Sequence, residues 1–169
     1  MTMMLVFGDI KDVQQAYLWL AGSVYGRSWE HVHALGGWLL VFLPAAVLLA
    51  RQLNTLALGD DTAKGLGLRV EWQRGLLLVI SVALAAAAVA VAGTIGFVGL
   101  VAPHITRRLV GPSHEGLVPA AALFGGALLV LADFVGRVVI APSELPVGLV
   151  TAMIGAPYFL YLLYRHRNR

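Results

Sequence analysis

The chain of 169 residues contains no cysteine and few charged residues. Without thiols it can form neither disulfide bonds nor thiolate metal sites, and cysteine usage does not indicate its redox compartment. Only 12% of its residues are charged and 59% are hydrophobic, whereas an ordinary soluble domain has about 25% charged residues. This composition excludes a typical soluble protein.

Charged residues are absent from four long intervals, 31–50, 75–106, 116–132 and 145–164, which are 20, 32, 17 and 20 residues long. A helix needs about 20 mostly apolar residues to cross the hydrocarbon of a bilayer. Only helices and closed barrels span lipid, and barrel strands would alternate in polarity instead of forming continuous apolar runs. We therefore predict an all-α fold, a polytopic transmembrane helix bundle that forms a single membrane domain over residues 1–169.

The longest charge-free interval predicts two helices instead of one. As a single helix its 32 residues would reach about 48 Å, well beyond the hydrocarbon thickness of about 30 Å. Gly93, Gly96 and Gly99 lie near its middle, where we expect a turn. The second helix is then short, and it is either tilted into protein or partly re-entrant. The sequence thus predicts about five membrane passes, at residues 33–50, 75–92, 98–110, 117–139 and 146–164, with connections at 111–116 and 141–145.

The distribution of basic residues predicts the orientation. If the segment 51–74 is cytoplasmic, the turn at 107–116 and the C-terminal tail are cytoplasmic too. That side then holds nine basic residues and the other side three, which is the bias typical of cytoplasmic loops. The nine are Arg51, Lys64, Arg69, Arg74, Arg107, Arg108, Arg165, Arg167 and Arg169, and the three are Lys11, Arg27 and Arg137.

The sequence contains no G-x-x-x-x-G-K-[ST] motif, so it offers no phosphate cradle of that type. If ATP drives transport, we expect its hydrolysis on another chain, and we predict no enzymatic activity here. The net charge of +3 does not indicate nucleic acid as a partner, because arginines at helix ends are topology signals.

Few ionisable groups fall within the apolar segments. Asp133 and Arg137 are four residues apart and share a helix face, so they could pair, line a pathway, contact a partner or simply reach the interface. His31 and His33 face opposite ways on a helix and make a poor metal pair. His104, after Pro103, is the histidine that we single out, and we expect no metal or cofactor.

The segment 51–74 is the longest polar stretch between two predicted spans. Asp60 and Asp61 form the acidic start of a short helix that Gly65 and Gly67 would end. A short amphipathic helix of this kind would suit docking into a groove of a soluble partner, or it is a solvated connector.

Four sequence blocks carry a family resemblance: LNTLALGDDTAKGLGL, GTIGFVGLVAPHITRRLVG, LLVLADFVGR and ELPVGLVTAMIGAPYFLYLL, in that order. Together they resemble the second half of the FecCD-type permeases, the membrane subunits of bacterial ABC importers for iron–siderophore complexes, haem and cobalamin. The resemblance implies a multi-pass protein of the bacterial inner membrane with a cytoplasmic C-terminus. It also implies a dimer of permease subunits with ten helices each, two ATP-binding subunits and a periplasmic binding protein.

The resemblance also implies roles for particular residues. The part of 51–74 around Leu56 to Leu68 corresponds to the helices that enter the ATPase groove, and Arg137 to an arginine that contacts the binding protein. The expected ATPase-coupling residues are Leu56, Leu58, Gly59, Asp60, Asp61, Ala63, Lys64, Gly65 and Gly67. From the residues themselves and not from the resemblance, the expected pathway or packing residues are Gly93, Gly96, Gly99, Pro103, His104 and Asp133.

Family permeases are about twice as long as this chain, which lacks the part before their sixth helix. We expect a fragment, a truncated gene or one of two separately encoded halves. Three other interpretations stay open: half of a secondary transporter, for which Asp133 is the sole carboxylate candidate; a membrane-embedded enzyme, for which no His/Asp/Glu cluster is visible; and a non-functional remnant.

Overall fold

The computed structural model describes residues 17, 19–139 and 145–167, and among them it contains helices and turns but no strand. Seven helices lie wholly within these residues. They are α1 (Trp29–Leu48), α2 (Ala50–Leu56), α3 (Asp60–Gly65), α4 (Val70–Ala92), α5 (Val98–Val110), α6 (His114–Val139) and α7 (Val147–Arg167). The predicted all-α fold is confirmed.

Four of these helices, α1, α4, α6 and α7, are long and apolar enough to cross a membrane. The fifth predicted pass is α5, which has the predicted bounds and 13 residues. At 1.5 Å per residue it is about 20 Å long, which is too short to cross the hydrocarbon unaided. The described part of the chain therefore holds four full-length spans and one short apolar helix.

Three helices begin earlier than the charge-free intervals predict. Helix α1 begins at Trp29 instead of His33 and ends at Leu48 instead of Ala50. Helix α4 begins at Val70 instead of Gly75, and α6 begins at His114, inside the predicted turn 111–116. The second half of that turn was predicted wrongly, because polar residues at a helix start resemble a loop in sequence. The Ser113 carbonyl already accepts a hydrogen bond from the Leu117 N–H (3.0 Å), and Glu115 lies in the first turn, where the helix dipole favours an acid.

The predicted polar stretch 51–74 is largely helical. After a single break at Leu49, α2 continues the chain to Leu56, and the short helix α3 follows. The observed bounds of α3 match the predicted acidic start at Asp60 and the predicted glycine-rich end.

The chain divides into two compact units. Unit 1 contains the described residues of 1–26, 89–101 and 127–169, and unit 2 contains residues 27–88 and 102–126. A single domain over 1–169 stays a prediction. Lys11, Arg169 and the predicted connection 141–145, apart from Leu145, lie outside the described residues.

Unit 1 has a small apolar core in which Ala132, Val147 and Val150 are buried. Partly buried hydrophobic residues pack against it: Val24, Ile95, Leu129 and Leu145. In unit 2 the buried residues include Ala50, Ala63, Val70 and Ile80. Thus the start of α4 and the stretch that connects it with α1 contain some of the most deeply buried positions of unit 2.

Large apolar side chains are otherwise exposed along the long helices. No residue of α1 is buried, and exposed positions include Leu40, Leu48 and Leu123, each more than three-quarters accessible. In water such a surface would be costly, whereas lipid tails or further protein helices cover it without penalty.

Candidate functional site

The candidate site is the stretch of unit 2 that connects α1 with α4, and at its centre lies α3. Glycines close both ends of this short helix. Gly59 precedes it with φ 100°, and Gly67 follows it with φ 84°, a backbone conformation that residues with a β-carbon rarely adopt. Two hydrogen bonds, from Gly67 N–H to the Lys64 carbonyl (2.9 Å) and from Leu68 N–H to the Ala63 carbonyl (3.0 Å), complete a Schellman end.

The charges on α3 follow the helix dipole. Asp60 and Asp61 lie in the first turn and Lys64 in the last, which is the favourable arrangement. Asp60 also accepts a hydrogen bond from Arg74 Nη2 (2.9 Å), which ties the start of α3 to the first turns of α4. Because both side chains are nearly half exposed, the pair contributes little stability and serves mainly to orient α3.

The apolar residues of this stretch divide into an inner and an outer set. Ala63 is fully buried, whereas Leu58 and Leu66 are 64% and 65% exposed on either side of α3. Leu56, at the end of α2, is half-buried. A compact helix flanked by two exposed leucines is a suitable shape for insertion into a groove of another protein.

Helix α2 is bound to the start of α6. The Asn54 Oδ1 accepts hydrogen bonds from the His114 backbone N–H (2.9 Å) and from the His114 Nδ1 (2.7 Å), so Nδ1 must carry the ring proton. Arg51 Nε donates to Glu115 at 2.7 Å, and Asn54 Nδ2 lies 3.5 Å from the Ser113 hydroxyl. None of these pairs is visible in the sequence pattern, because the partners are about sixty residues apart.

An apolar groove of about 560 Å³ lies beside these contacts in unit 2. Its walls come from α1, α2, α4 and the start of α6, and the polar residues Arg74, Ser81 and His114 are among those that line it. The predicted coupling residue Leu56 is also part of its wall.

Asp133 and Arg137 pair along one face of α6, in unit 1. The Arg137 Nε donates to Asp133 Oδ2 at 2.8 Å, and its Nη2 lies 3.4 Å from Oδ1. The Arg137 side chain is 45% exposed and that of Asp133 is 28% exposed. The pair therefore presents a partly accessible guanidinium at the end of α6.

The predicted glycines around α5 differ in their surroundings. Gly93, with φ 71°, lies against the Trp19 backbone so closely that a β-carbon would overlap it, whereas no atom approaches the corresponding position at Gly96 or Gly99. Pro103 and His104 lie within α5 and are partly buried. Only Gly93 of these three glycines is thus in close contact in the described structure.

Several tightly packed residues were missed from the sequence. A β-carbon at Gly148 would overlap the Ala21 carbonyl, and one at Gly155 would overlap the side chain of Phe97. The φ angle of Phe97 is 66°. The two glycines lie seven residues apart on α7, a spacing that indicates one helix face, and this signal could have found them. The unusual backbone of Phe97 has no signal in the sequence.

His31 makes a local contact at the start of α1. The Ser28 N–H donates to His31 Nδ1 (3.3 Å), which helps to cap α1. Within the described residues no group of three or more His, Asp or Glu side chains is arranged to hold a metal ion.

Comparisons with known proteins identify the family of this chain. The model of the FecCD transport family matches residues 1–165. The chain is 50% identical over 167 residues to the achromobactin transport system permease protein CbrC of Dickeya dadantii, covering 99% of this chain and 48% of that protein. It is 44% identical over 163 residues to the Fe(3+) dicitrate transport system permease protein FecD of Escherichia coli, covering 96% of this chain and 51% of that protein.

A solved structure is similar as well. It is described as an inward-facing conformation of a metal-chelate type ABC transporter, and it matches with a TM-score of 0.87 and 34% identity over 97% of this chain and 53% of its own. The chain thus spans about half the length of the relatives that it matches. On the evidence of the family model and of these identities, the chain belongs to the FecCD transport family.

Proposed function

We propose that this chain forms the membrane pathway, or half of it, in a bacterial ABC importer that moves a ferric siderophore or a related metal chelate across the inner membrane. The single observation that carries this proposal is α3, a helix closed by glycines at both ends and flanked by exposed leucines, in a chain of the FecCD family. The relatives named above are permeases for achromobactin and ferric dicitrate, which supports a metal chelate as the substrate class.

In this proposal the chain itself catalyses no bond change. ATP is bound and hydrolysed on a partner subunit, whose movement displaces the coupling segment 51–74 on the cytoplasmic side. The long helices then shift between inward-open and outward-open arrangements. The bias of basic residues, nine against three, supports a cytoplasmic coupling segment and a cytoplasmic C-terminus.

Four further partners belong to the proposed assembly: a periplasmic substrate-binding protein, a second permease subunit, the other half of a permease of the relatives' length, and membrane lipid. Arg137 is the proposed contact for the binding protein, since its guanidinium is partly accessible beside Asp133. Gly93, Gly96, Gly99, Pro103, His104 and Asp133 are the proposed pathway or packing residues.

Capture of an ATP-binding subunit tests this proposal. The double variant Leu58→Ser, Leu66→Ser removes two exposed apolar side chains without touching the glycines that shape α3, so we expect it to fold and to lose capture in a pull-down. Deletion of Leu58 to Gly67 should abolish capture entirely. Leu109→Ser is the matched control, because Leu109 is also exposed, at 72%, but lies on α5.

Retained capture by the double variant and by the deletion would refute the coupling role of the segment. If the Leu109→Ser control also lost capture, any exposed leucine would affect the assay. That result would equally count against the coupling role of the segment. A non-functional remnant or half of a secondary transporter would not capture an ATP-binding subunit at all.

A further inference from the structure

The contact between α2 and the start of α6 has no role in the function proposed so far. Asn54 accepts two hydrogen bonds from one residue, His114, through its backbone N–H and its ring. The first backbone N–H groups of a helix have no partner within the helix. Asn54 therefore supplies, from another helix, a cap that α6 does not provide for itself at His114.

The first turns of α6 also lack one of the helix's own hydrogen bonds. Pro119 lies within α6 and has no N–H, so the Glu115 carbonyl four residues before it has no helical donor. One intrahelical bond is thus missing near the start of the helix. The contacts from α2 then help to hold His114 in place at the start of the helix.

Of the contacts that join the two helices, the pair with Asn54 is the most protected. Arg51 is 84% exposed and Glu115 is 48% exposed, so their ion pair is largely screened by water and contributes little. The Asn54–Ser113 contact is long, at 3.5 Å. The two bonds from His114 are short and partly buried, so we expect them to be the strongest of the polar contacts between the two helices.

We propose that Asn54 is the positioning residue that transmits movement of the coupling segment into α6. The inference rests on the proposed coupling role of residues 51–74. Helix α2 immediately precedes α3, so a displacement of α3 by a partner moves α2, and the paired bonds to His114 move the first turn of a 26-residue helix. Asn54 touches no substrate and acts only through His114.

The first experiment needs no partner. The chain has no native cysteine, so nitroxide labels can be placed at Leu58→Cys and Leu123→Cys, two exposed positions of unit 2. Electron–electron distance measurements on the full chain in nanodiscs should give a narrow distribution for the otherwise wild-type protein. Asn54→Ala should broaden this distance distribution. Asn54→Asp keeps an acceptor oxygen for the two bonds from His114, so its distribution should be as narrow as that of the wild type.

Glu115→Gln is the matched control, because it removes the exposed ion pair but leaves both bonds from His114. We expect its distance distribution to resemble that of the wild type. An unchanged distribution in Asn54→Ala, or equal broadening in Glu115→Gln, would overturn the assignment of Asn54.

The second experiment measures substrate transported per ATP hydrolysed in the reconstituted importer. Asn54→Ala should capture the ATP-binding subunit normally but transport about 25-fold less per ATP, because both hydrogen bonds from His114 are lost and each corresponds to about a fivefold factor. Asn54→Asp should recover the ratio, whereas a merely structural defect would lower capture and ATPase activity together.

The two failures are distinguishable. If the wild-type chain captures no ATP-binding subunit, the proposed function fails and the transmission role fails with it. If the wild type captures and transports, and Asn54→Ala transports as much per ATP, only the role of Asn54 is refuted.

Discussion

Phe97 occupies the space in which a β-carbon on Gly155 would lie. Phe97 holds φ 66°, which is a left-handed conformation for a residue with a large side chain. A side chain in such a backbone is retained only when its surroundings determine it. Here Gly155, a buried residue of α7, provides the surface against which the Phe97 side chain lies. The segment before α5 and the middle of α7 are therefore so close that only a residue without a β-carbon fits at position 155.

Gly155→Ala should therefore destabilise the protein. The added methyl group would force the Phe97 side chain to move, and overpacking of this kind costs about 1–3 kcal/mol. Thermal unfolding in detergent, followed by circular dichroism at the helix band, should show a lower Tm.

Gly126→Ala is the control for that measurement. Gly126 is also helical, and no atom lies within 4 Å of the position of its added methyl group. Alanine is the better helix former by up to about 1 kcal/mol, so the Tm should stay the same or rise. An equal loss in both variants would show that the contact with Phe97 is not the cause.

Gly67→Ala should weaken capture of an ATP-binding subunit. Because Gly67 has φ 84°, alanine strains the end of α3 by about 1 kcal/mol, which corresponds to about a fivefold loss of affinity if α3 must be formed to dock. Gly65→Ala, two residues earlier and inside the helix with open space around it, should bind at least as well as the wild type. The affinity of each variant for the ATP-binding subunit can be measured with the protein in nanodiscs. An equal change of affinity in Gly67→Ala and Gly65→Ala would refute the role of the helix end.

Arg137→Glu should weaken capture of the periplasmic binding protein by about fivefold at low salt, because the guanidinium is partly exposed and its pairing is screened. The difference from the wild type should shrink as the ionic strength rises. Arg137→Lys keeps the charge and should retain most of the affinity. If Arg137→Glu bound the periplasmic protein as well as the wild type does, Arg137 would not be a contact for that protein. Its role would then be limited to the pair with Asp133 at the helix end.

Thr94→Val should destabilise unit 1. The Thr94 hydroxyl donates to the Leu20 carbonyl at 2.6 Å, and valine has the same shape but no donor, so we expect a loss of about 1 kcal/mol in the free energy of unfolding. Thr55→Val is the control, because that hydroxyl bonds only to the Arg51 carbonyl in its own helix turn. Thermal unfolding should distinguish the two, and equal stabilities would contradict the importance of the bond across the chain.

Local chemistry made parts of this structure predictable. The bounds of α5 follow from the glycines before it and from Gly111 after it, and the bounds of α3 follow from Gly59, Asp60 and Gly67. In each case a residue type with a strong conformational preference marks the helix end.

Other helix ends were not predictable from charge. The intervals without charge indicate the part of a helix that lies in hydrocarbon, whereas α4 continues through Glu71 and Arg74 back to Val70. Helix α2 was missed for the same reason, since Arg51 and Asn54 read as a polar connector.

The contacts that matter most for the site connect distant parts of the sequence. Asn54 with His114 and Phe97 with Gly155 are each about sixty residues apart, and neither pair has a local pattern. Only the fold brings these residues together. The segment 51–74 can therefore be identified from the sequence, whereas its attachment to α6 cannot.

The most direct test of the central claim is the side of the membrane on which the coupling segment lies. In the cysteine-free chain, Leu58→Cys places a single thiol at an exposed position beside α3, and Tyr25→Cys places one at an exposed position of the N-terminal part. With a membrane-impermeant maleimide, we predict that Tyr25→Cys is labelled in intact cells and that Leu58→Cys is labelled only after permeabilisation. Labelling of Leu58→Cys in intact cells would contradict the orientation and the coupling role derived from it.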